Sequence, residues 1–293
     1  MNIQKWINRN CKEIRGKTIC ITGSTGGLAV AFTKHLASLG ANFIFANRNK
    51  KKSLEQKQDL LSKYPNIKID ILNVDMFDLN SVKLFVCKLK QLHVDVLILN
   101  SAVYNVPRQT SASGFDNVFQ INFISPYYIA KQMIPVMRKI KDSKVIVLGS
   151  IAHNYSTIDF DDPQRLKTHK SNIIYGNSKR LLMFSMQKLF SQSNVGFALV
   201  HPGITLTKMT SHYPKLINWL VKLGIRIFFP NPNKASLSIL SGVFNATDSN
   251  EWIGPSIFNI WGYPKKKKIK SFSLKEQEQC FELAEKIYDK ISN

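Results

Sequence analysis

Cysteine is scarce in this chain. Only four of its 293 residues are cysteines, and they are scattered without the spacing of a metal site: Cys11, Cys20, Cys87 and Cys280. Reduced thiols in a cytosolic setting are the simplest explanation of this pattern. We therefore expect a cytoplasmic protein that holds no metal ion.

Long apolar runs are also missing. The N-terminal residues, Met1 to Ile7, lack the continuous apolar core of a signal peptide or of a membrane-spanning helix. No repeat, low-complexity tract or linker divides the chain. We predict a single domain over residues 1–293, which is long enough to build one large α/β core.

Acidic residues are few, at 19 against 41 lysines and arginines, so the formal net charge is +22. An excess of this size favours contact with anionic surfaces. No recognised nucleic-acid motif accompanies it, and the basic runs at 50–52 and 265–268 flank the predicted fold rather than define a groove. No specific nucleic-acid partner is expected. Solvated basic faces are the simplest explanation, and an anionic membrane surface is the alternative.

Short apolar runs alternate with helix-like segments along the chain. This alternation predicts an α/β fold with a mainly parallel sheet of about seven strands and helices on both faces. A core over about residues 15–262 is expected, followed by a basic segment and a helix within 264–292. The apolar runs lie near residues 18–22, 42–46, 95–99, 144–149, 196–200 and 257–261.

A glycine-rich run, Thr22 to Ala29, follows the first of these strands and precedes a helix-like segment. Glycines let backbone N–H groups approach a pyrophosphate at the positive N-terminus of a helix. The succession of strand, turn and helix therefore predicts a dinucleotide phosphate site. Taken alone, the same run could be an ordinary glycine-rich turn.

The pattern Tyr-x-x-x-Lys occurs four times, as a lysine-rich chain allows by chance. Tyr64 and Tyr263 are each followed by proline, which disfavours a helix through the tyrosine. Tyr127 lies in a helix-like segment whose apolar face is predicted to be core. Only Tyr175 lies between two predicted strands, one ending in serine and the next in histidine, proline and glycine.

Tyr175 and Lys179 can act together if they share a helix. Four residues advance about 6 Å and rotate about 40° past a full turn, so both side chains lie on one face. A free tyrosine has a pKa of about 10, and lowering it by about 3 units needs about 4 kcal/mol of phenolate stabilisation, for which the Lys179 charge is a source. Ser150 closes a buried strand and faces the ligand crevice, so it is expected to hydrogen-bond a substrate oxygen.

These motifs, in this order, resemble those of the short-chain dehydrogenase/reductase family. Its signature Thr-Gly-x-x-x-Gly-x-Gly fits at Thr22, Gly23 and Gly27, with Ala29 in place of the last glycine. The resemblance covers roughly residues 15–262. It implies a Rossmann-like, doubly wound sheet with a helical lid, and hydride transfer between a nicotinamide cofactor and a carbonyl or alcohol group.

One interval is closest to the retinol dehydrogenase-like branch of that family. Tyr175 lies 25 positions after Ser150, about twice the usual interval, and the segment from Gly149 to His153 has that branch's pattern. The extra residues, 159–163 among them, are expected to form a loop beside the substrate mouth. A supporting role for His153 is favoured over a catalytic one.

The resemblance also implies roles for individual residues. Tyr175 would exchange the proton and Ser150 would polarise the substrate oxygen. Lys179 would hold the nicotinamide ribose, and together with Asn122, which holds a water in the family, would resupply the proton. Asp75 corresponds to a residue near the adenine. Both positions also have an ordinary explanation. Asn122 could be a buried polar residue of a helix, and Asp75 could be an aspartate at the end of a strand.

The cofactor is expected to lie along the ends of several strands. NADP(H) is favoured over NAD(H), because the second strand ends in Asn47 and Arg48 without an acidic residue, and a guanidinium binds a phosphate well. The nearby lysines 50–52 can equally solvate a helix start. The predicted cofactor contacts are Thr22, Gly23, Ser24, Thr25, Gly27, Leu28, Asn47, Arg48, Asp75, Met76, Asn100, Ala102, Tyr175, Lys179, Pro202, Gly203, Thr205 and Thr207.

Two departures from the family pattern keep a second function open. After the fourth strand the family has Asn-Asn-Ala-Gly, whereas this chain has Asn100, Ser101, Ala102 and Val103. Valine does not reach positive φ as glycine does, which predicts a rearranged backbone beside the cofactor. With Ala29, this leaves a catalytically weak NADP(H)-binding sensor or a membrane-surface scaffold as the alternative.

A strongly apolar segment at 214–229 lies within the region, about 209–230, where the family has its lid. Lys215, Lys222 and Arg226 share one helical side of it. A lid over a lipophilic alcohol or carbonyl substrate is predicted, and peripheral docking on an anionic membrane is the alternative. A homodimer is also left open. The predicted substrate residues are Ser150, Leu216, Trp219 and Leu220.

Overall fold

One sheet organises the chain. The computed structural model describes residues 2–204 and 230–292. The strands found there are β1 (Thr18–Thr22), β2 (Asn42–Asn47), β3 (Ile69–Asn73), β4 (Val96–Leu99), β5 (Lys144–Leu148), β6 (Gly196–Val200), β7 (Glu251–Ile257) and β8 (Trp261–Lys268).

The strand order is β3-β2-β1-β4-β5-β6-β7-β8. Neighbouring strands are parallel from β3 to β7, and only β7 and β8 are antiparallel. The chain reverses its direction of winding between β1 and β4, which is where doubly wound sheets bind ligands. The predicted mainly parallel sheet is confirmed, with eight strands in the described residues instead of about seven.

Two details of the predicted strands were wrong. The apolar run at 257–261 spans the end of β7, a turn and the start of β8, so it is a hairpin end rather than a strand. Strand β3 was absent from the predicted runs because it is less apolar: its sequence is Ile-Asp-Ile-Leu-Asn and only its first residue is buried. It lies at the sheet edge beside β2.

Helices cover both faces of the sheet. A π-helical turn (Gln120–Ile124) joins the fifth and sixth of them, and a 3-10 helix (Ile151–Tyr155) follows β5. The α-helices in the described residues are α1 (Ile3–Asn10), α2 (Gly27–Ser38), α3 (Lys50–Lys63), α4 (Leu79–Leu89), α5 (Asn117–Phe119), α6 (Ser125–Met137), α7 (Ser171–Ser191), α8 (Pro232–Ala235), α9 (Leu237–Phe244) and α10 (Leu274–Ser292).

The core forms two apolar clusters, one on each face of the sheet. Helices α4, α6, α7 and α10 pack on one face, and α1, α2, α3 and α9 pack on the other. Strand residues alternate between the clusters, so Cys20 belongs to the first and its neighbours Ile19 and Ile21 to the second. Burial on both faces explains why the central strands are almost wholly apolar.

None of the helices between residues 2 and 204 or between 230 and 292 is long and apolar enough to cross a membrane.

Helix α10 is fastened to the core by buried polar contacts. Arg180 of α7 donates two hydrogen bonds to the Glu276 carboxylate, at 2.6 and 2.5 Å. Further along, the Tyr127 hydroxyl donates to Glu285 at 2.5 Å, and Lys131 pairs with the same carboxylate. Tyr127 is 2% exposed and its phenol is engaged with α10, so this copy of the Tyr-x-x-x-Lys pattern belongs to the core.

Replacing Glu276 with alanine should destabilise the fold, because the buried Arg180 guanidinium would lose its counter-charge. The two side chains are 8% and 18% exposed, and breaking a buried pair in this way costs about 3 kcal/mol of unfolding free energy. Glu278→Ala on the same helix is the control, since its partner Lys188 is 26% exposed and Glu278 is 47% exposed. That loss should stay below about 1 kcal/mol. Urea unfolding measures both, and equal losses would contradict the proposed difference.

Candidate active site

The glycine-rich run is built into the junction of β1 and β4. Gly23 has φ of +69°, and a Cβ there would lie 2.8 Å from the Ser101 Oγ, so only glycine fits. The Thr22 Oγ1 accepts hydrogen bonds from the backbone N–H groups of Asn100 (3.0 Å) and Ser101 (3.2 Å). The Asn100 amide donates back to the carbonyls of Thr22 and Gly23, both at 3.0 Å. These bonds hold the two strand ends together at the switch point.

The N-terminus of α2 is open. Gly26 is its N-cap and provides no side-chain hydrogen bond, and a Cβ on Gly27 would meet no atom within 4 Å. The N–H groups of the first turn, which includes Leu28, are therefore available to a pyrophosphate, and the residues fit a dinucleotide. Ala29 is fully buried in the core cluster of that face, so its methyl group is accommodated by packing.

Polar side chains support this turn from behind. The Asn47 amide donates to the hydroxyls of Ser24 (2.7 Å) and Ser53 (2.8 Å). Gln56 of α3 bonds Ser24 twice, to its hydroxyl at 3.0 Å and its carbonyl at 3.1 Å. Asn47 and Ser24, both predicted cofactor contacts, are thus buried supports of the turn. Sequence reasoning missed Ser53 and Gln56, whose only signal is a polar side on the first turns of α3.

Arg48 and Asp75 meet at the neighbouring ends of β2 and β3. The Arg48 Nη1 lies 3.6 Å from the Asp75 Oδ2, and the Arg48 side chain is 75% exposed. The other carboxylate oxygen of Asp75 accepts a hydrogen bond from the Phe77 N–H at 3.0 Å, and Ser81 binds the Asp75 N–H. Asp75 is therefore held in place, whereas Arg48 is accessible to a ligand. Met76 is buried beside them.

Asn122 clamps the segment after β4. Its Oδ1 accepts from the Val103 N–H at 2.8 Å, and its amide donates to the Val103 carbonyl at 2.9 Å and to the Ser178 hydroxyl at 3.1 Å. Val103 is not among the residues with positive φ, so valine sits here without backbone strain. The side-chain amide satisfies both backbone groups of Val103. The predicted contact Ala102 is half-buried at this edge.

Ser150, Tyr175 and Lys179 are brought together at the carboxyl end of β5. The Ser150 hydroxyl caps the 3-10 helix by accepting from the Ala152 N–H at 3.2 Å, and it is close enough to the Tyr175 phenol to affect the phenol's pKa. The Lys179 Nζ lies 6.0 Å from the centre of the Tyr175 ring. It donates to the Leu148 carbonyl at 2.9 Å. Tyrosine and lysine therefore share one face of α7, as their spacing predicts.

Burial determines how these groups titrate. It raises the pKa of Tyr175 to about 12, to which nearby Tyr104 adds, while the neighbouring Ser150 hydroxyl opposes the rise. Burial also lowers the pKa of Lys179 to about 8. The expectation that Lys179 lowers the phenol pKa does not hold for the chain alone, because the ammonium group binds the Leu148 carbonyl and lies 6.0 Å from the centre of the Tyr175 ring. The phenol is protonated at neutral pH.

Gly176 was missed by the sequence analysis, and it lets α7 approach Ser150. A Cβ on Gly176 would lie 2.4 Å from the Ala152 carbonyl oxygen, closer than any real contact. Only glycine permits this distance between the helix and the 3-10 segment. A glycine inside a helix directly after the candidate tyrosine was the available signal, since such glycines usually have a packing reason.

His153 supports the serine without reaching the reaction centre. It is 1% exposed. Its Nδ1 donates to the Ser150 carbonyl at 2.7 Å, and its Nε2 lies 3.1 Å from the Ser271 hydroxyl. Its ring contacts Trp252 edge-on at 5.3 Å, and burial lowers its pKa. A neutral, fully engaged imidazole positions Ser150, in keeping with the expected supporting role.

The loop between the 3-10 helix and α7 is fastened at several points. Arg108, which sequence reasoning also missed, donates to the carbonyls of Gln164 (3.1 Å), Leu166 (3.3 Å) and Thr168 (2.9 Å). The Asn177 amide of α7 donates to the carbonyl of residue 163 at 2.7 Å. Asp116 pairs with Arg108 at 2.8 Å. The loop is therefore held next to α7 and the tyrosine.

After β6 the structure describes the site up to residue 204. Gly203 has φ of +85°, and a Cβ there would lie 3.1 Å from the Ile260 carbonyl oxygen. Pro202 precedes it and is half-buried. Within the described residues, no group of three or more metal-ligating side chains is placed to hold an ion. Outside the described residues lie the predicted lid up to residue 229 and Thr205, Thr207, Leu216, Trp219 and Leu220.

A family model described as short chain dehydrogenase matches residues 17–216 of the chain. The match covers every motif that carried the resemblance. The chain therefore belongs to the short-chain dehydrogenase family, and the predicted membership is confirmed.

Individual proteins resemble the chain over about two thirds of its length. A Brassica napus protein named short-chain dehydrogenase TIC 32 A, chloroplastic, is 30% identical over 213 residues, which cover 67% of this chain and 66% of that protein. Human retinol dehydrogenase 13 is 27% identical over 205 residues, covering 68% of this chain and 62% of that protein. The chain thus matches just under two thirds of the length of these relatives.

A solved structure agrees in fold. It is a short-chain dehydrogenase from Sphingobium yanoikuyae in complex with NADPH, with a TM-score of 0.58 and 17% sequence identity. The alignment covers 75% of this chain and 81% of that one.

Gly176→Ala should lower activity even though alanine favours a helix more than glycine does. Alanine favours a helix by about 1 kcal/mol over glycine, but here its methyl group would push α7 away from Ala152 and thereby move Tyr175. We expect turnover to fall about tenfold or more, since small misplacements of reacting groups are costly. Ser185→Ala, further along α7, is the control and should retain activity. Full activity and a higher melting temperature in Gly176→Ala would show that no such clash exists.

Proposed function

We propose that this member of the short-chain dehydrogenase family transfers a hydride between a nicotinamide cofactor and a carbonyl or alcohol group of a small molecule. The observation that carries the proposal is the convergence of Ser150, Tyr175 and Lys179 at the carboxyl edge of the sheet that also bears the open N-terminus of α2. Such convergence at a switch point is typical of a cofactor-dependent active site.

Several residues would hold the cofactor along this edge. The first turn of α2, with Gly27 and Leu28, would bind the pyrophosphate, and Arg48 and Asp75 would lie at the adenosine end. Lys179 would hold the nicotinamide ribose, once its ammonium group exchanges the Leu148 carbonyl for ribose hydroxyls. The nicotinamide ring, when bound, supplies or accepts the hydride.

Tyr175 is proposed as the acid of the reduction. A pKa near 12 keeps the phenol protonated, so it can donate its proton to the substrate oxygen as it stands. The Ser150 hydroxyl, which lies beside the phenol, would bind the same oxygen and polarise the carbonyl. Lys179 and Asn122 would serve the return of the proton. Oxidation would require the phenolate, and hence a lower pKa than the chain alone provides.

We propose NADP(H) rather than NAD(H) as the cofactor. Arg48 is exposed at the end of β2, and no carboxylate occupies the position just before it. A phosphate on the adenosine ribose would find a guanidinium there, although it would share that group with Asp75. The presence of NADPH in the Sphingobium yanoikuyae structure is consistent with this choice.

We propose a lipophilic substrate because aromatic and apolar side chains surround Tyr175. Tyr104 contacts Tyr175 edge-on at 5.1 Å, and Tyr155, 53% exposed, lies against Gly176. Leu166 on the neighbouring loop is 58% exposed. The name of retinol dehydrogenase 13 fits a substrate of this class. We also propose that the protein is cytoplasmic and that it contacts an anionic membrane peripherally. It would act as a monomer or a homodimer.

The cofactor assignment predicts tighter binding of NADPH than of NADH. We expect at least about a tenfold difference in dissociation constant, equal to about 1.4 kcal/mol, and most of it should vanish in Arg48→Ala. Lys51→Ala, an exposed neighbour on α3, is the matched control and should keep the preference. Fluorescence titration of the parent and both variants with each cofactor gives all six constants. Equal affinities for the two cofactors in the parent protein would defeat the assignment.

The catalytic assignment predicts that Tyr175→Phe loses turnover with a panel of aldehydes and ketones, because the proton donor is removed. NADPH binding should change little. Tyr127→Phe is the internal control, since the same pattern there is bonded to Glu285 in the core. That variant should lose some stability and keep its turnover per folded molecule. Comparable losses of turnover at both positions would refute the role of Tyr175.

A further inference from the structure

The hairpin between β7 and β8 ends in an exposed apolar group of three side chains. Phe258 is 81% exposed, Ile257 52% and Trp261 39%. Ile257 and Trp261 are paired across the two strands, and the rings of Phe258 and Trp261 meet edge-on at 6.5 Å. We call these three residues the apolar tip. They lie within five positions of one another, so they form a continuous apolar surface.

The turn between β7 and β8 contains a residue, Phe258, that is unfavourable for the stability of the fold. The Ile260 N–H bonds the Ile257 carbonyl at 3.0 Å, which makes Phe258 and Asn259 the central pair, with φ of 51° and 59°. Turns with positive φ at both central positions favour asparagine and glycine. Asn259 suits its place, whereas a bulky phenylalanine in this region is a genuine outlier. Its presence with most of the ring exposed points to a function outside the fold.

The apolar tip is held rigidly beside the cofactor edge. Lys267 donates to the Pro255 carbonyl at 2.5 Å and also bonds Asn259. The His201 Nε2 donates to the Asn259 carbonyl at 3.1 Å. The Ile260 carbonyl packs against Gly203, just after β6. The tip is thus anchored to the segment that follows β6, on the edge of the sheet where the substrate is proposed to bind.

A cluster of positive charge accompanies the apolar tip. Lys265, Lys266, Lys268 and Lys270 are exposed on β8 and just beyond it. Among the described residues, only Lys266 of these has an acidic group within 4 Å, Glu251 at 3.6 Å. Lysines on an edge strand also prevent pairing with other sheets. That protection explains the lysines but leaves the apolar tip unexplained.

We propose that the apolar tip and the lysines of β8 dock this protein on an anionic lipid bilayer. Trp261, with an apolar ring and a polar N–H, suits the boundary of headgroups and acyl chains, and the purely apolar Phe258 and Ile257 can insert beside it. Lysines are attracted to the negative surface. A soluble acidic protein would match the charge but would not require an exposed phenylalanine and tryptophan on one turn. Docking here would present the proposed active site to substrates dissolved in the membrane.

Sedimentation with vesicles tests the proposal. The parent should bind vesicles of phosphatidylcholine with about 30% phosphatidylserine, and bind pure phosphatidylcholine at least about tenfold less. Raising the salt concentration should weaken the binding. Failure to bind the anionic vesicles, or equal binding to both kinds, overturns the proposal.

Phe258→Asn separates docking from stability. Asparagine suits the turn, so the melting temperature should stay equal or rise, while binding to the anionic vesicles should fall about tenfold with the loss of the apolar ring. Leu84→Ser is the control, because Leu84 is 65% exposed on α4 and should not affect vesicle binding. A lower melting temperature with unchanged vesicle binding would mean that Phe258 packs against the chain's own residues, which overturns the proposal.

Turnover of a short water-soluble aldehyde should be the same in Phe258→Asn and in the parent. This measurement separates the two proposals: loss of vesicle binding with normal turnover supports docking, whereas an inactive parent that still binds vesicles would leave docking standing and remove the enzymatic function.

Discussion

The distance between helix α7 and the segment after β5 controls the candidate site. The backbone of Gly176 lies against the Ala152 carbonyl so closely that no side chain fits between them. Because Tyr175 and Lys179 are carried by the helix and Ser150 by the segment, this one contact sets how far the phenol is from the hydroxyl. Other contacts hold one of these two elements in register: Asn122 binds Ser178 of α7, and His153 binds the Ser150 carbonyl.

The C-terminal helix contributes to that register from a distance in sequence. Arg180, one residue after Lys179, binds Glu276 of α10 and the carbonyls of His153 and Ser271. Ser271 in turn meets the His153 ring, which holds the Ser150 carbonyl. A continuous path of buried and partly buried hydrogen bonds therefore runs from α10 to the serine. Helix α10, which lies beyond the expected core of about residues 15–262, is thus a structural component of the site.

Features that depend on neighbouring residues could be predicted from the sequence. The central strands, the turn at Gly23 and the shared face of Tyr175 and Lys179 follow from burial, backbone geometry and helical spacing. The sequence could not predict the contacts of Arg108 with a loop about sixty residues later, because such pairs depend on how the elements pack. The hairpin end was taken for a strand because an apolar residue looks the same in sequence whether it is buried or exposed.

The open first turn of α2 has a thermodynamic consequence. Its N-cap, Gly26, provides no side-chain bond, so the donors of this helix end depend on solvent or on a ligand. A dinucleotide bound there interacts with the folded chain and not with the unfolded one. Each tenfold rise in its free concentration above the dissociation constant would then add about 1.4 kcal/mol to the unfolding free energy. The survival of the folded chain against proteolysis would in that way follow the cell's supply of nicotinamide dinucleotide.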